Sequence, residues 1–340
     1  MKVWQLDGGF GVDNLSLADR PEPEPGPGQV KVRITAASLN FRDTVIVAGA
    51  YSATQPLPLI PLSDGAGEVV AVGEGVTRFK PGDRVTPAFH QGWISGEPTF
   101  ERLSHALGAG DLDGVAAPYR VFSQDGLCHT PAYLTDEEAA CLPCAALTAW
   151  AALVSDTGTA PGETVLIQGT GGVSIFALQM AKAMGVRAIV TSSSDDKLER
   201  ARALGADDTV NYRTTPEWHK AARDLTGGRG VDHVIEVGGA GTMERSLKSV
   251  RIGGRISVIG VLSGGGAAEL SIIHMLMGHV RLQGITVASR DDHEAMGRFL
   301  ELTGLKPVID RSFAFEELPQ ALAHMASGSH FGKIVVRVGD

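Results

Sequence analysis

A glycine-rich run lies between a short apolar segment and a helical pattern in the middle of the chain. The run, Gly-Thr-Gly-Gly-Val-Ser over residues 169–174, follows Val165–Ile167 and leads into a helical pattern over Val173–Met184. Glycines at such a junction permit a tight turn, and the N–H groups at the start of the helix attract a pyrophosphate. Ser174 takes the last position of the G-x-G-x-x-G pattern, where a small residue is still compatible with close packing. The junction therefore predicts a dinucleotide-binding turn, with a plain βα turn as the alternative.

Strand-like and helix-like segments alternate from about residue 126 onward. They are Val165–Ile167, Val173–Met184, Ala188–Val190, Asp196–Leu204, Thr209–Val210, Val234–Val237, Met243–Val250 and Ile256–Val261. Such alternation indicates a parallel sheet covered by helices on both faces. The first half is β-rich instead, with strand patterns at Val30–Ala36 and Glu68–Val72, and residues 86–118 show little periodicity. With 340 residues, the chain is expected to form about two domains of different architecture.

The residues that follow the second strand of this pattern bear on the choice of cofactor. A site that prefers NAD carries a carboxylate there for the ribose 2′-hydroxyl. This chain has a hydroxyl-rich run over residues 191–194, followed by Asp195, Asp196 and Lys197. Hydroxyls and Lys197 suit a 2′-phosphate, and Tyr212-Arg213 could close the phosphate pocket. The two aspartates are placed to cap the next helix. The pattern favours NADPH over NADH, with Lys197 as an ordinary solvated helix residue in the competing view.

Composition and charge argue against several classes of partner. Thirty Lys and Arg against 39 Asp and Glu give a net charge of −9, which disfavours nucleic acid and anionic membranes. No segment approaches about 18 unbroken apolar residues, and the N-terminus has no long apolar run, so we expect neither a membrane span nor a signal peptide. Three cysteines, Cys128, Cys141 and Cys144, are too few for a disulfide scaffold and favour a cytoplasmic location.

Motifs spread over nearly the whole chain resemble those of the medium-chain dehydrogenases/reductases. They are Ser38–Asp43, Ile60–Gly67, Val72–Val76, Pro81–Val85, Leu142–Trp150, the glycine run and His330–Lys333. The resemblance implies an α/β fold, in which a Rossmann domain with a doubly wound parallel sheet joins a partly open, GroES-like β-barrel catalytic domain at an active-site cleft. The expected catalytic domain covers residues 1–125 with 290–340 returning to it, and the dinucleotide-binding domain covers residues 126–289.

The resemblance also shows where a catalytic metal would be held. Zinc enzymes of the family use a Cys, a His with a neighbouring Glu, and a second Cys. At the matching positions this chain has Asn40, Ser63-Asp64 and Cys144, and residues 86–118 lack the four cysteines of the structural-zinc lobe. Catalytic zinc needs three protein ligands in a tetrahedral array. We therefore expect no metal, and His90 is expected to be a substrate-pocket residue or a satisfied polar residue.

Cys141 and Cys144 also have the C-x-x-C spacing of redox proteins. The pair precedes a helix with the sequence Leu147–Trp150, which is not the context of a thioredoxin-like motif. Buried structural cysteines are therefore the favoured interpretation.

The missing zinc ligands bear on the reaction. Zinc polarises a carbonyl group, whereas a conjugated acceptor spreads the developing negative charge and needs less help. Zinc-independent quinone reductases and enoyl-reductase domains of polyketide synthases carry similar stretches. We therefore expect NADPH-dependent hydride transfer to a quinone or an α,β-unsaturated carbonyl compound without catalytic zinc. The alternatives are an NAD(P)-dependent alcohol dehydrogenase and an NADPH-binding protein with little or no turnover.

The resemblance implies roles for individual residues. Asn40 and Thr148 would hydrogen-bond near the nicotinamide or the substrate oxygen, while Arg42, Asp43 and Ser63 are candidates to steer a proton. Asp43 as a structural partner of Arg42 or of a backbone amide remains open. The full set of expected cofactor-binding residues is Thr148, Gly169, Thr170, Gly171, Gly172, Val173, Ser192, Ser193, Lys197, Tyr212, Gly238, Ile259, Gly260, Gly332 and Lys333.

Two further expectations concern the substrate and the assembly. The aromatic residues Phe89, Trp93 and Phe100 either wall a pocket for a small-molecule substrate or form local core. The segment His279–Val287 resembles the edge strand through which the family pairs cofactor domains into a homodimer. A buried strand within one subunit is the alternative for that segment.

Overall fold

The structure is a computed structural model that describes residues 1–52, 54–266 and 270–339. Its strands are β1 (Lys2–Leu6), β2 (Leu15–Asp19), β3 (Gln29–Leu39), β4 (Asp64–Val72), β5 (Arg84–Pro87), β6 (Tyr119–Ser123), β7 (Leu127–His129), β8 (Thr164–Gln168), β9 (Arg187–Ser192), β10 (Asp208–Asn211), β11 (Val231–Glu236), β12 (Val250–Val258), β13 (Arg281–Gly284), β14 (Ile309–Phe313) and β15 (Lys333–Arg337). Its helices are α1 (Phe41–Val47), α2 (Phe100–Leu103), α3 (Asp136–Ala139), α4 (Leu147–Trp150), α5 (Gly172–Ala183), α6 (Asp195–Ala203), α7 (Trp218–Asp224), α8 (Met243–Ser249), α9 (Ile272–Gly278), α10 (Arg290–Thr303) and α11 (Leu318–Ala326).

The chain divides into two compact units. Unit 1 contains Met1–Leu147 and the residues from Val287 onward, and unit 2 contains Thr148–Thr286. The boundaries expected from sequence were 125/126 and 289/290. Unit 1 extends further because β7 pairs with β5, and because Asp136 on α3 accepts hydrogen bonds from Thr35 and Arg84. These contacts tie residues 127–139 to the β-rich part of the chain.

Unit 1 is built on a sheet with the strand order β14-β15-β3-β4-β5-β7, and β6 also pairs with β3. Strand β3 is eleven residues long, and its apolar side chains Val30, Val32 and Ile34 are completely buried. Strand β15 runs antiparallel to β3 with Ile334 opposite Leu39. This register places Lys333 at the end of β3, where α1 begins.

Unit 2 contains a parallel six-stranded sheet with the order β10-β9-β8-β11-β12-β13. Counted within the unit this is 3-2-1-4-5-6, the order of the doubly wound dinucleotide-binding sheet. The central strands β8 and β11 are buried along their whole length, as helices on both faces require. The predicted α/β fold class is confirmed. Because the order reverses between β8 and β11, ligands are expected at the carboxyl ends of these two strands.

One helical run is long and apolar enough to cross a membrane. It covers Asp136–Ser155, which is 20 residues, and 78% of its most apolar window is buried inside the protein. Its apolar residues are not unbroken, because Asp136, Glu137 and Glu138 stand at its start and Thr148 lies inside it. Core helices of globular proteins meet the same length and composition criteria, and the burial of this run matches that class.

A buried histidine in unit 2 predicts a loss of stability in acid. His233 is fully buried between Thr159 Oγ1 at 3.0 Å and Ser257 Oγ at 2.8 Å. Burial, and then the charge of Arg255, lowers the pKa of His233 to about 3. In the unfolded chain His233 binds a proton near pH 6.5, whereas in the folded chain it does so only at much lower pH. The contribution of His233 to the free energy of unfolding is therefore fully present above about pH 6.5 and is lost as the pH falls. Between pH 7 and pH 5 we expect this residue alone to cost about 2 kcal/mol.

The matched variant for this prediction is His233→Gln, which has no titrating ring. Urea unfolding followed by circular dichroism at pH 7 and pH 5 measures the effect. We expect the variant to lose less stability than the wild type over this interval. Equal losses in the two proteins would show that His233 does not carry the pH dependence.

Candidate active site

The glycine turn lies at the switch point of the unit 2 sheet. Gly169 has a φ of +71° and its N–H donates to Thr191 O at 2.8 Å, so the chain turns sharply after β8. Helix α5 begins at Gly172, and no side chain caps it. Its first N–H groups are therefore available to an anion. Ser174 departs from the usual glycine because its Oγ donates to Gln168 O at 2.7 Å, which closes the turn.

A buried carboxylate organises the strand ends beside this turn. Glu236, the last residue of β11, is completely buried. Its carboxylate accepts hydrogen bonds from Gln168 Nε2 (2.6 Å), Gly238 N (2.8 Å), Gly239 N (2.9 Å), Thr242 Oγ1 (2.6 Å) and Ser246 Oγ. Sequence reasoning missed this role. The signal was present, however, because a carboxylate inside an apolar strand must be paired if it is buried.

The neighbouring strand ends approach one another closely. The N–H of Ile259 donates to Glu236 O at 2.8 Å. A Cβ on Gly260 would lie 2.2 Å from Val237 O, so only glycine fits there. A Cβ on Gly238 would lie 2.3 Å from Thr242 Oγ1. These three expected cofactor-binding residues therefore lie together at the carboxyl edge of the sheet, close to Glu236.

The expected 2′-phosphate residues also lie at this edge. Ser192 is the buried last residue of β9, and Ser193 follows it. Tyr212, after β10, donates its N–H to Ser192 O at 3.0 Å and leaves its ring half-exposed. Lys197 is on the first turn of α6. The four residues that the sequence singled out therefore follow or begin elements at the same edge of the sheet: Ser192 and Ser193 at the end of β9, Tyr212 after β10 and Lys197 at the start of α6.

The cap of α6 differs from the expectation. The sequence placed Asp195 and Asp196 as caps, but Ser194 is the capping residue, and its Oγ accepts from Lys197 N at 3.4 Å. The extended backbone of Ser194 points its hydroxyl at the third helical N–H, while the aspartates lie within the first turn. There their charge still favours the helix N-terminus, and Asp195 also accepts from Asn211 Nδ2 at 2.8 Å.

The candidate catalytic residues of unit 1 surround the junction of β3 and α1. Asn40 is the junction residue, nine-tenths buried, and its N–H donates to Asp43 Oδ2 at 2.7 Å. Asp43 is completely buried, and burial raises the pKa of its carboxyl to about 6, although Arg42 and the Asn40 N–H oppose the shift. Asp43 thus closes the first turn of α1, the structural role left open by the sequence.

Arg42 and the aromatic residues form a local cluster. The guanidinium of Arg42 lies 4.7 Å from the Phe89 ring centroid and donates to Leu107 O at 2.9 Å. The ring of His90 lies 4.7 Å from that of Phe89 and 5.9 Å from that of Trp93, and all three are buried. Phe100 is 91% exposed and belongs to no such cluster. Phe89 and Trp93 are therefore part of the local core.

Ser63 and Asp64 lie beside the same junction, at the start of β4. Ser63 Oγ donates to Asp64 Oδ1 at 2.7 Å, and the N–H of Cys144 donates to Asp64 Oδ2 at 3.0 Å. Both Ser63 and Asp64 are completely buried. Thr148, the fourth catalytic candidate, is buried on α4 and belongs to unit 2.

Lys333 completes the unit 1 cluster. Its side chain is 2% exposed, and its Nζ donates to Asn40 Oδ1 at 2.6 Å and to Leu39 O at 2.7 Å. The Asp64 carboxylate lies 4.0 Å from the same ammonium group. The resemblance assigns Lys333 to the cofactor, but every contact described here is with residues of unit 1. Gly332 has a φ of +82°, and a Cβ there would lie 2.3 Å from Val308 O.

The residues at the family's metal positions do not fit a metal ion. Among the residues that the structure describes, no group of three or more His, Cys, Asp or Glu side chains is arranged to hold one. Burial raises the pKa of the Cys144 thiol, and Asp64 raises it further, whereas a metal ligand must be a thiolate. The ammonium of Lys333 adds a positive charge to the same cluster. Asn40, Asp64 and Cys144 therefore do not form a zinc site.

The other two cysteines are buried. Burial raises the pKa of Cys128 and of Cys141 to about 12, and all three cysteines carry free thiols. A thiol needs a lowered pKa to be a redox nucleophile. The structural interpretation of Cys141 and Cys144 agrees with these properties.

Comparison with known proteins identifies the family. The sequence profile of the alcohol dehydrogenase GroES-like domain matches residues 26–132, and that of the zinc-binding dehydrogenases matches residues 172–302. A zinc-type alcohol dehydrogenase-like protein of Schizosaccharomyces pombe is 42% identical over 90% of this chain and 90% of its own length. The chain belongs to the medium-chain dehydrogenase/reductase superfamily. The resemblance noted in the sequence is confirmed.

Two further similarities cover most of this medium-chain dehydrogenase/reductase. The crystal structure of an NAD-dependent alcohol dehydrogenase matches with a TM-score of 0.91 and 38% identity, over 100% of both chains. Human quinone oxidoreductase is 28% identical over 87% of this chain and 85% of its own length. Members of the superfamily bind NAD or NADP and act on small molecules, so the protein is an oxidoreductase that uses a nicotinamide cofactor.

Proposed function

We propose that the protein transfers hydride from NADPH to a quinone or an α,β-unsaturated carbonyl compound without catalytic zinc. The observation that carries this proposal is the Lys333–Asn40 contact of 2.6 Å at the family's metal positions. A site built this way lacks a Lewis acid, so it suits acceptors whose conjugation spreads the developing charge. The similarity to human quinone oxidoreductase supports the same class of acceptor.

Unit 2 would hold the cofactor when it is bound. The uncapped start of α5 suits the pyrophosphate, and the edge formed by Gly238, Ile259 and Gly260 permits close approach of the chain to the nicotinamide ribose. The cofactor supplies the hydride, and the protein supplies orientation and electrostatics. In unit 1, the buried amide of Asn40 is the candidate donor to the substrate oxygen.

The preference for NADPH rests on the end of β9. This strand ends in Ser192 with no carboxylate, and Asp195, three residues later, accepts a hydrogen bond from Asn211 Nδ2 at 2.8 Å. Ser192, Ser193 and Lys197 provide donors and a positive charge suited to a 2′-phosphate.

Replacing Lys197 tests the assignment. We expect Lys197→Ala to raise the Kd of NADPH about tenfold and to leave the Kd of NADH within about twofold, because only NADPH carries the phosphate. Fluorescence titration measures both constants. Lys220→Ala, at an exposed lysine of the same unit, should change neither. Equal weakening of NADPH and NADH by Lys197→Ala would show that Lys197 does not bind the 2′-phosphate.

Alcohol dehydrogenase activity is the second candidate function. It is favoured by the similarity to the zinc-type alcohol dehydrogenase-like protein of Schizosaccharomyces pombe and to the NAD-dependent alcohol dehydrogenase. Binding of NADPH without turnover is the third. A panel of quinones, enones, aldehydes and alcohols, each with NADPH, NADH or the oxidised cofactors, separates the three. We expect oxidation of NADPH by the conjugated acceptors. Turnover of saturated aldehydes and alcohols alone would favour the second candidate, and tight NADPH binding without turnover would favour the third.

We also propose a homodimer formed through unit 2 and a cytoplasmic location. Strand β13 is the edge of its sheet and is largely exposed, which disfavours the buried-strand alternative for this part of His279–Val287, although Ile285 and Val287 after it are buried. The adjacent α9 exposes four apolar side chains, each 65–70% accessible: Ile272, Ile273, Leu276 and Met277. An open strand edge beside an apolar helix suits pairing with a second copy. Light scattering that finds a monomer at working concentration would contradict the dimer.

A further inference from the structure

A buried ammonium group occupies the cluster in which zinc enzymes of this superfamily hold their metal. Asn40, Asp64 and Cys144 stand at the matching positions. Lys333 Nζ lies 2.6 Å from Asn40 Oδ1, 2.7 Å from Leu39 O and 4.0 Å from Asp64 Oδ2. Two acceptors and a carboxylate thus hold one positive charge, which satisfies the requirement that a buried charge be paired.

The same contact fixes the orientation of the Asn40 amide. An ammonium group donates hydrogen bonds and accepts none, so Asn40 must turn its oxygen toward Lys333. Its NH₂ group then points away from the lysine. Among the described residues, Asn40 Nδ2 has no hydrogen-bond partner, although that atom is buried. A buried donor without a partner is rare in native proteins and calls for an explanation.

We propose that Lys333 takes the place of the catalytic metal as the local positive charge and orients the Asn40 NH₂ group as the donor to the carbonyl oxygen of a conjugated substrate. This rests on the proposed function. Hydride adds to the β-carbon as NADPH becomes NADP⁺. The C=C electron pair shifts to the bond between the α-carbon and the carbonyl carbon, and the C=O electron pair moves onto oxygen, which gives an enolate. The Asn40 NH₂ group stabilises that negative charge, and a proton from water then adds to the α-carbon. Lys333 is a positioning residue in this scheme, while Asn40 contacts the substrate.

Kinetics distinguish this role from cofactor binding. We expect Lys333→Met, which keeps the chain length without the charge, to lower kcat with an enone by about tenfold to a hundredfold. The Kd of NADPH should stay within about twofold. Asn40→Ala should lower kcat by a similar factor, and the double variant should be no worse than Asn40→Ala because Lys333 acts through Asn40. A tenfold rise in the Kd of NADPH with unchanged kcat, or multiplicative losses in the double variant, would overturn the proposal.

A spectroscopic readout is independent of turnover. The chain has three asparagines, Asn14, Asn40 and Asn211, so ¹⁵N-asparagine labelling gives three side-chain NH₂ pairs. Asn14 Nδ2 donates to Phe10 O at 2.6 Å and Asn211 Nδ2 to Asp195 Oδ1 at 2.8 Å, so these two are internal controls. We expect Lys333→Met to shift the Asn40 pair alone. In the wild type with NADP⁺, cyclohexanone as an unreactive carbonyl probe should shift the same pair.

The kinetic and the spectroscopic experiments together distinguish failure of this inference from failure of the proposed function. If no acceptor oxidises NADPH, the proposed function fails and the spectra alone decide the role of Lys333. An Asn40 pair that is unmoved by Lys333→Met, or by cyclohexanone with NADP⁺, would overturn the inference even in an active enzyme. Should Lys333→Met not fold, Lys333→Gln replaces it with the same expectations, and the cyclohexanone titration of the wild type still stands.

Discussion

Glu236→Gln is expected to lower the free energy of unfolding of this protein by about 3–5 kcal/mol. The wild-type carboxylate accepts five hydrogen bonds in a fully buried position. A glutamine has the same shape, but its NH₂ group would face some of these donors instead of accepting from them. Buried donors would then lose their partner, and the carboxyl ends of β8 and β11 would lose their common anchor.

Thermal unfolding followed by circular dichroism measures this change as a fall in Tm of roughly 4–7 °C. The matched control is Glu244→Gln on α8, where the same substitution removes only an exposed contact with Lys248. That variant should stay within about 0.5 kcal/mol of the wild type. A Glu236→Gln protein within about 1 kcal/mol of the wild type would show that the carboxylate does not organise the switch point.

Gly260→Ala should raise the Kd of the nicotinamide cofactor at least about tenfold and destabilise the protein by about 1–3 kcal/mol. The new methyl group would start 2.2 Å from Val237 O, which is backbone and cannot rotate aside. The ends of the two strands must therefore move apart. This movement distorts the edge that is expected to face the nicotinamide ribose.

A second glycine provides a control with the opposite sign. Gly297 lies within α10, and nothing lies within 4 Å of a Cβ added there. Gly297→Ala should stabilise the protein by about 0.5–1 kcal/mol, because alanine favours a helix, and should leave cofactor binding unchanged. If Gly260→Ala bound NADPH and NADH as tightly as Gly297→Ala does, the close-approach assignment would be wrong.

Local sequence patterns located most strands and helices of unit 2, but not α7 or α9. The helix predicted over Val173–Met184 is observed as α5 (Gly172–Ala183), and the strand predicted at Ala188–Val190 lies within β9. Both elements have unbroken or regularly spaced apolar residues bounded by glycine or serine, and such patterns are what sequence reasoning interprets well. The position of the glycine turn followed from this alternation.

The patternless residues 86–118 could not be interpreted because their structure depends on distant backbone partners. Gln91 N donates to His105 O at 2.9 Å, and Gly114 N donates to Ile60 O at 2.6 Å. Such pairings leave no period in the sequence. The Lys333–Asn40 contact has the same origin, since it joins residues 293 positions apart through the register of β15 on β3.

The pairing partner of a buried polar residue is the least predictable feature of the site. Sequence reasoning selected Asn40 and Lys333 separately, one for the substrate and one for the cofactor. It saw Glu236 only as part of a strand. For all three residues, the residue type indicated that the side chain has a role. The hydrogen-bond partner could not be predicted, because it depends on which strand ends the fold brings together.

Metal analysis combined with turnover provides the decisive measurement. The protein is purified without chelator, its zinc content is determined, and NADPH oxidation by a quinone and an enone is measured before and after dialysis against a chelator. We expect far less than one zinc per chain and the same rate in both samples, because the lysine ammonium already fills the cationic position. About one zinc per chain, with turnover that disappears on its removal and returns on its addition, would contradict this account.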